Sequence, residues 1–236
     1  MPWRARLGIV YPADGALDDE YWKLVPEGVT VHITRFEATD EQTVEVFEEQ
    51  ALSPDIETAA SHLAVIGPNA IAYACTSGSF IYGAGRDLDI IERMEEASGV
   101  PCTTTSTALV NAAKTLGVHR LAVAAPYPDD VTQRLRIFLE GSGFDVVSLK
   151  GLGLEHGIYA QPAGAAYGLA KRTDVPEADA ILISCTNFRT VEILDALEQD
   201  LGKPVVSANQ ATMWEMLRLA GINPKREGLG TLYRLP

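Results

Sequence analysis

The sequence predicts an α/β fold of two similar lobes, each a small parallel sheet flanked by helices, related by a pseudo-twofold axis with a cleft between them. Three observations carry that expectation. Short apolar runs end abruptly at turn residues, the pattern of strands buried on both faces of a parallel sheet. Amphipathic stretches separate the runs, as crossover helices would. The pattern then restarts halfway: residues 71–80, IAYACTSGSF, have a counterpart at 180–188, AILISCTNF, each an apolar run ending in Cys-Thr. Pro12 and Pro126 are 114 positions apart, Cys75 and Cys185 110, and Pro101 and Pro204 103, the drift that unequal loops produce. No low-complexity or linker segment separates the halves. The expected division is residues 1–114, residues 115–214, and a tail, 215–236, packing back on the first lobe.

In the first half, residues 6–10 (RLGIV) read as a buried strand broken at Tyr11-Pro12. Residues 13–19 form a polar, flexible loop, and 29–34 (VTVHIT) alternate like a second strand. Residues 43–52 and 55–65 read as helices, with Pro54 at the boundary between them. After the strand at 70–74 come a helix at 89–98, stopped by Gly99, and a strand at 100–104. A helix at 106–116 follows, capped by Ser106 or Thr105 and closed by Gly117.

The second half repeats the plan. Residues 119–125 form a strand ending at Pro126, as the first strand ends at Pro12. A helix at 130–139, a turn at 141–143, a strand at 145–149 and a helix at 160–171 follow. The strand at 180–184 leads into the second Cys-Thr. The helix at 191–201 stops at Gly202, and Lys203-Pro204-Val205-Val206 mirrors Gly99-Val100-Pro101-Cys102. Residues 211–219 are the counterpart of the 106–116 helix.

Composition narrows the function. The 236 residues are 47% hydrophobic and 22% charged, enough for one large or two modest domains with their own cores. A formal net charge of −13 argues against nucleic acid, which needs clustered Lys and Arg. No apolar run approaches the roughly 20 residues of a membrane span, and the apolar part of MPWRARLGIVYP is too short for a signal peptide. Three cysteines without framework spacing read as reduced thiols, hence a cytoplasmic protein. No CxxC or HxxxH pairing points to a metal, and no cofactor is signalled. A homo-oligomer is left open.

The chemistry sits in the duplicated cysteines. Cys75 and Cys185 each fall where a strand ends and a helix is expected to begin, which is where open α/β sheets place ligands. Unpaired N–H groups and the helix dipole there can lower a thiol's pKa. Two thiols on opposite faces of a small substrate suit removing a proton from one face of a carbon and returning it to the other. They also suit adding a thiolate to an activated double bond and expelling it. The plainer alternative for each is a buried small hydrophobe, and that is the reading for Cys102, which lies within a strand. Thr76, Ser77 and Ser79 form a hydroxyl-rich turn able to donate to a carboxylate. Thr186 and Asn187 offer the same from the other half, and Tyr127 can join them; helix capping and packing are the alternatives. Asp14, at the position corresponding to Tyr127, is an odd carboxylate for an anion site: it points away or selects a substrate carrying a donor. His156 reads as surface decoration or a cleft residue, and Arg86 and Arg189 as solvated arginines or charge balance for substrate.

Two Cys-Thr loops on a duplicated frame resemble the aspartate/glutamate racemase superfamily. Residues 101–139, PCTTTSTALVNAAKTLGVHRLAVAAPYPDDVTQRLRIFL, are similar to its maleate cis–trans isomerase and arylmalonate decarboxylase branch. The resemblance covers most of the chain from Arg6 to Ile222. It implies a pseudo-symmetric two-lobe fold and cofactor-free chemistry at the carbon next to a carboxylate. It also implies that Thr76, Ser77 and Tyr127 form a dioxyanion hole and that Cys185 matches the decarboxylases' proton donor. Those decarboxylases typically have glycine at the position of Cys75, whereas the isomerases and racemases keep both cysteines. The turn Pro12-Ala13-Asp14 departs from the Ser-Ser-Asn turn of maleate isomerases, and no second-lobe asparagine is evident near His156. The expectation is a two-cysteine isomerase or racemase of a small carboxylate. The competing readings are an arylmalonate-type decarboxylase using Cys185 and, outside enzymes, a small-acid binding protein.

Overall fold

The computed structural model describes residues 3–235. Among them, β1 (Ala5–Pro12), β2 (Val29–Phe36), β3 (Ala70–Tyr73) and β4 (Cys102–Thr104) make one parallel sheet in the order β2-β1-β3-β4. A second parallel sheet repeats that order with β5 (Arg120–Ala125), β6 (Asp145–Gly151), β7 (Ala180–Ile183) and β8 (Val205–Ser207), as β6-β5-β7-β8. Equal strand order and equivalent register, Leu7 beside Ala70 and Leu121 beside Ala180, bear out the duplication. Every residue of β3 and β7 is buried, as the unbroken apolar runs AIAY and AILI require.

The helices in chain order are α1 (Asp18–Lys23), α2 (Val44–Leu52), α3 (Asp55–Ala64), α4 (Thr76–Phe80), α5 (Asp87–Ser98), α6 (Thr105–Thr115), α7 (Asp129–Gly141), α8 (Ala163–Thr173), α9 (Leu194–Leu201) and α10 (Ala208–Leu219). Gly99 and Gly202 end α5 and α9 with φ of 67° and 64°, left-handed positions that favour glycine. Thr43 caps α2 by accepting from the Val46 N–H at 3.3 Å. No described helix is long and apolar enough to cross a membrane.

Three local expectations are corrected. The first strand does not break at Tyr11: it runs through Pro12, because β3 stops pairing at Val10 and the missing proline N–H falls beyond that ladder. The end of the expected loop at 13–19 belongs to α1, a six-residue helix too short to show a period. Thr104, not Ser106 or Thr105, caps α6, accepting from the Thr107 N–H at 3.1 Å. The tail reaches both halves. Arg226 donates to the Lys23 and Val25 carbonyls, while Gly230 and Thr231 are held by Asp195 and Glu198.

α6 and α10 form the seam. They pack on each other, α10 also lies against β3 and β4, and α6 against β8. The Thr212 hydroxyl donates to Thr105 Oγ1 at 3.0 Å across this contact. Each half's final helix thus closes part of the other half's core, which fixes how the strand ends face one another.

Candidate active site

Cys75 lies two residues beyond β3 and Cys185 two residues beyond β7, and both line a single cavity. The other walls are Pro12, Asp14, Thr39, Gln42, Phe47, Gln50, Thr76, Ser77, Tyr127, Thr186 and Asn187. The cavity is narrow: its volume is about 20 Å³, room for about one water. A larger hollow of about 280 Å³ beside α2, α4 and α5, lined by Tyr82, Arg86, Asp89 and Arg93, holds no thiol.

The two cysteines are not set alike. Cys75 is the N-terminal residue preceding α4, in extended conformation. Its thiol donates to Gln50 Oε1 at 3.7 Å, and Ser77 Oγ lies at the same distance. Cys185 has a φ of +87°, the one left-handed non-glycine among the described residues. No helix begins beside it; residues 186–190 form a loop, and a 3₁₀ turn, Val191–Ile193, precedes α9. Its sulfur accepts from the Asn187 N–H at 3.4 Å.

The expected lowering of the thiol pKa is overturned. Burial pushes Cys75 up to about 11, with the Asp14 charge adding to it against hydrogen bonds from the Gly78 N–H, Ser77 and Tyr73. Burial likewise pushes Cys185 up to about 12, with Asp14 and Cys75 adding and the Asn187 N–H and Tyr127 hydroxyl opposing. The thiols are only 4% and 8% exposed, and desolvation outweighs the few dipoles aimed at the sulfur. Both are proton-bearing at neutral pH.

The donors divide into free and committed groups. Thr76 Oγ1 is buried with no partner among the described residues, and Tyr127 shares its hydroxyl with Ser184 Oγ at 3.2 Å. Thr186, by contrast, donates its hydroxyl to the Ala74 carbonyl at 3.0 Å. Asn187 gives its amide N–H groups to Asp14 and takes the Ala16 N–H and Tyr11 hydroxyl on its oxygen. Both side chains serve to bridge the halves. Asp14 does not point away: it is the one charged side chain on the cavity wall.

His156 is exposed, its Nδ1 3.1 Å from the Asp40 carbonyl. Arg86 pairs with Asp89 and Arg189 with Asp19, away from the cavity wall. Cys102 is buried, and its thiol donates to the Val100 carbonyl at 3.2 Å. Sequence reasoning missed Thr39, Gln42, Phe47 and Gln50. One signal was available: Gln50 falls with Phe47 and Ala51 on the buried face of α2, where a polar amide needs a reason.

A family profile described as arylmalonate decarboxylase matches residues 7–233. The chain is similar to the arylmalonate decarboxylase of Bordetella bronchiseptica, 37% identical over 176 residues, covering 71% of this chain and 72% of that one. It is also similar to the maleate isomerase of Pseudomonas putida, 26% identical over 216 residues, covering 88% and 85%. Among solved structures, a liganded double variant of arylmalonate decarboxylase, glycine to cysteine and cysteine to serine, superposes with a TM-score of 0.89 at 32% identity, covering 99% of each chain. The match from first strand to tail and the shared fold agree on one answer: this chain is an enzyme and belongs to the arylmalonate decarboxylase family.

Proposed function

We propose that the chain is a cofactor-independent isomerase or racemase of a small carboxylate, with Cys75 and Cys185 working on opposite faces of the carbon beside the carboxylate. The observation that carries this reading is the pair of thiols on one narrow cavity, beside the unpartnered hydroxyl of Thr76. In the proton-transfer form, one thiol first gives its own proton to solvent and, as thiolate, takes the proton from carbon. The C–H electron pair moves into the carboxylate, giving an enediolate, and the other thiol returns a proton to the opposite face. In the adduct form, the Cys75 thiolate adds to a cis double bond, the new single bond rotates, and the thiolate leaves. Thr76, Ser77 and Tyr127 hold the carboxylate or enediolate as uncharged donors. Thr186 and Asn187 keep the second loop against them, and Asp14 meets a substrate group that is not a second anion.

A second reading has its own support. Thiols held at about 11 and 12 carry a proton that an enediolate, a stronger base, can take, and decarboxylation asks only for such a proton. Carbon dioxide leaves from a malonate, and Cys185 then protonates the enediolate. Turnover of maleate, aspartate, glutamate, 2-arylpropionates and arylmalonates, with deuterium uptake at carbon, separates the two. Loss of about 100-fold or more in both Cys75→Ala and Cys185→Ala supports the two-thiol mechanism. Full activity in Cys75→Ala with loss in Cys185→Ala rejects it in favour of decarboxylation.

A further inference from the structure

We propose that Glu20, on the first half of the chain, is a positioning residue for Cys185 on the second, holding the loop that keeps this cysteine in its left-handed conformation. The inference rests on the reading of Cys185 as a reactive thiol. Glu20 is 1% exposed. Its Oε1 accepts from the Thr190 and Val191 N–H groups at 2.7 and 2.9 Å, contacts 170 and 171 residues distant in sequence. Its Oε2 accepts from Asn209 Nδ2 at 2.8 Å, and that same nitrogen donates to the Thr186 carbonyl at 3.0 Å.

The geometry gives these contacts a purpose beyond satisfying a buried acid. Left-handed backbone is costly for a residue with a Cβ and persists only where the surroundings over-determine it. On the N-terminal side of Cys185, the Ser184 N–H is held by the Ala124 carbonyl at 2.9 Å. On the C-terminal side the Thr186 carbonyl has two donors, Asn209 and the Tyr11 hydroxyl, and the loop's far end is tied to Glu20. Arg189, beside Thr190 in the loop, gives its guanidinium to Asp19. Glu20 is therefore answered by directed N–H groups, and burial pushes its carboxyl above the ordinary range against those donors.

The Cys75 loop is built differently. Its Thr76 carbonyl accepts from Ser79 and Ser106 of the same half. Glu20 thus bonds the Cys185 side directly and reaches the Cys75 loop at second hand, through the Thr186 hydroxyl on the Ala74 carbonyl. That asymmetry makes the proposal testable without a substrate.

Glu20→Gln keeps the size of the side chain and an acceptor for the two backbone N–H groups, but turns an amide donor toward the Asn209 amide donor. The Asn209 oxygen has no partner among the described residues, so flipping its amide relieves the clash and releases the Thr186 carbonyl. Alkylation by iodoacetamide, followed by peptide mass spectrometry, reads both thiols in the same molecules. Glu20→Gln is expected to change the Cys185-to-Cys75 labelling ratio by roughly fivefold or more, as a kilocalorie-scale change of population does. An unchanged ratio overturns the proposal, as does an equal change at both thiols, which marks general loosening. Asn209→Ala, which removes the same link from the other end, must shift the ratio likewise and serves where Glu20→Gln does not fold. The ratio needs no turnover, so failure of the two-thiol mechanism in the kinetic assay and failure of this proposal are separate results.

Discussion

Asp14 shows what one residue does to the site. Burial and the charge of Asp40 push its carboxyl from the ordinary 3.8 up to about 6, while hydrogen bonds from its own N–H and Asn187 and the charge of Arg35 oppose them. An acid whose value is higher in the folded state favours folding fully only below 3.8, and that contribution is lost as pH rises through about 6. At pH 7.5 the ionised carboxyl costs the fold on the order of 1–3 kcal/mol. Asp14→Asn keeps an acceptor for Asn187 and is expected to raise Tm at pH 7.5 by several degrees. The gain should shrink across the window from about 6 to 3.8 and vanish below it. Thermal melts at pH 7.5 and pH 4 check this, and an equal gain at both counts against the ionised-carboxyl account.

At the scale of one element, α4 is the turn that aims Cys75. Gly78 sits inside it because nothing larger fits. A Cβ there would collide with the Tyr73 hydroxyl and lie 3.3 Å from the Cys75 sulfur. The Tyr73 ring is fully buried in the first half's core and has little room to retreat. Gly78→Ala should therefore cost roughly 1–3 kcal/mol through overpacking and lower turnover by displacing the sulfur. A melt and a turnover assay on the same preparation test this. Unchanged stability and unchanged activity would show that the turn is softer than its packing implies.

Across the whole molecule, the narrowness of the cavity sets the problem of entry. Its roof includes Thr39 and Gln42, from the segment between β2 and α2. Three bonds tie this segment to the second half. The Gln42 N–H donates to the Glu155 carbonyl at 3.1 Å, the Gly157 N–H donates to Asp40 Oδ2 at 2.9 Å, and His156 meets the Asp40 carbonyl. A hydrogen bond of this kind contributes about 0.5–1.5 kcal/mol net. Asp40→Ala should raise the alkylation rates of Cys75 and Cys185 together, by about 2- to 10-fold. That is the opposite signature to Glu20→Gln, and unaltered rates would place the route of entry elsewhere.

The sequence by itself determined the duplicated α/β plan and the two Cys-Thr loops at the strand ends, because both are local. An apolar run must be buried, and a strand that ends in turn residues presents its next side chain at the sheet's edge. Only the tertiary structure decided the protonation of the thiols, since a sulfur's pKa follows how much water reaches it, and the closing of two halves over the cavity sets that. The same closing committed Thr186 and Asn187 to bridging, brought Gln42 and Gln50 to the wall, and turned Asp14 inward. The left-handed Cys185 was illegible for the same reason. Its conformation is held by Glu20 and Tyr11, partners 170 and 175 residues away from the groups they bind, and no window along the chain contains both sides of such a contact.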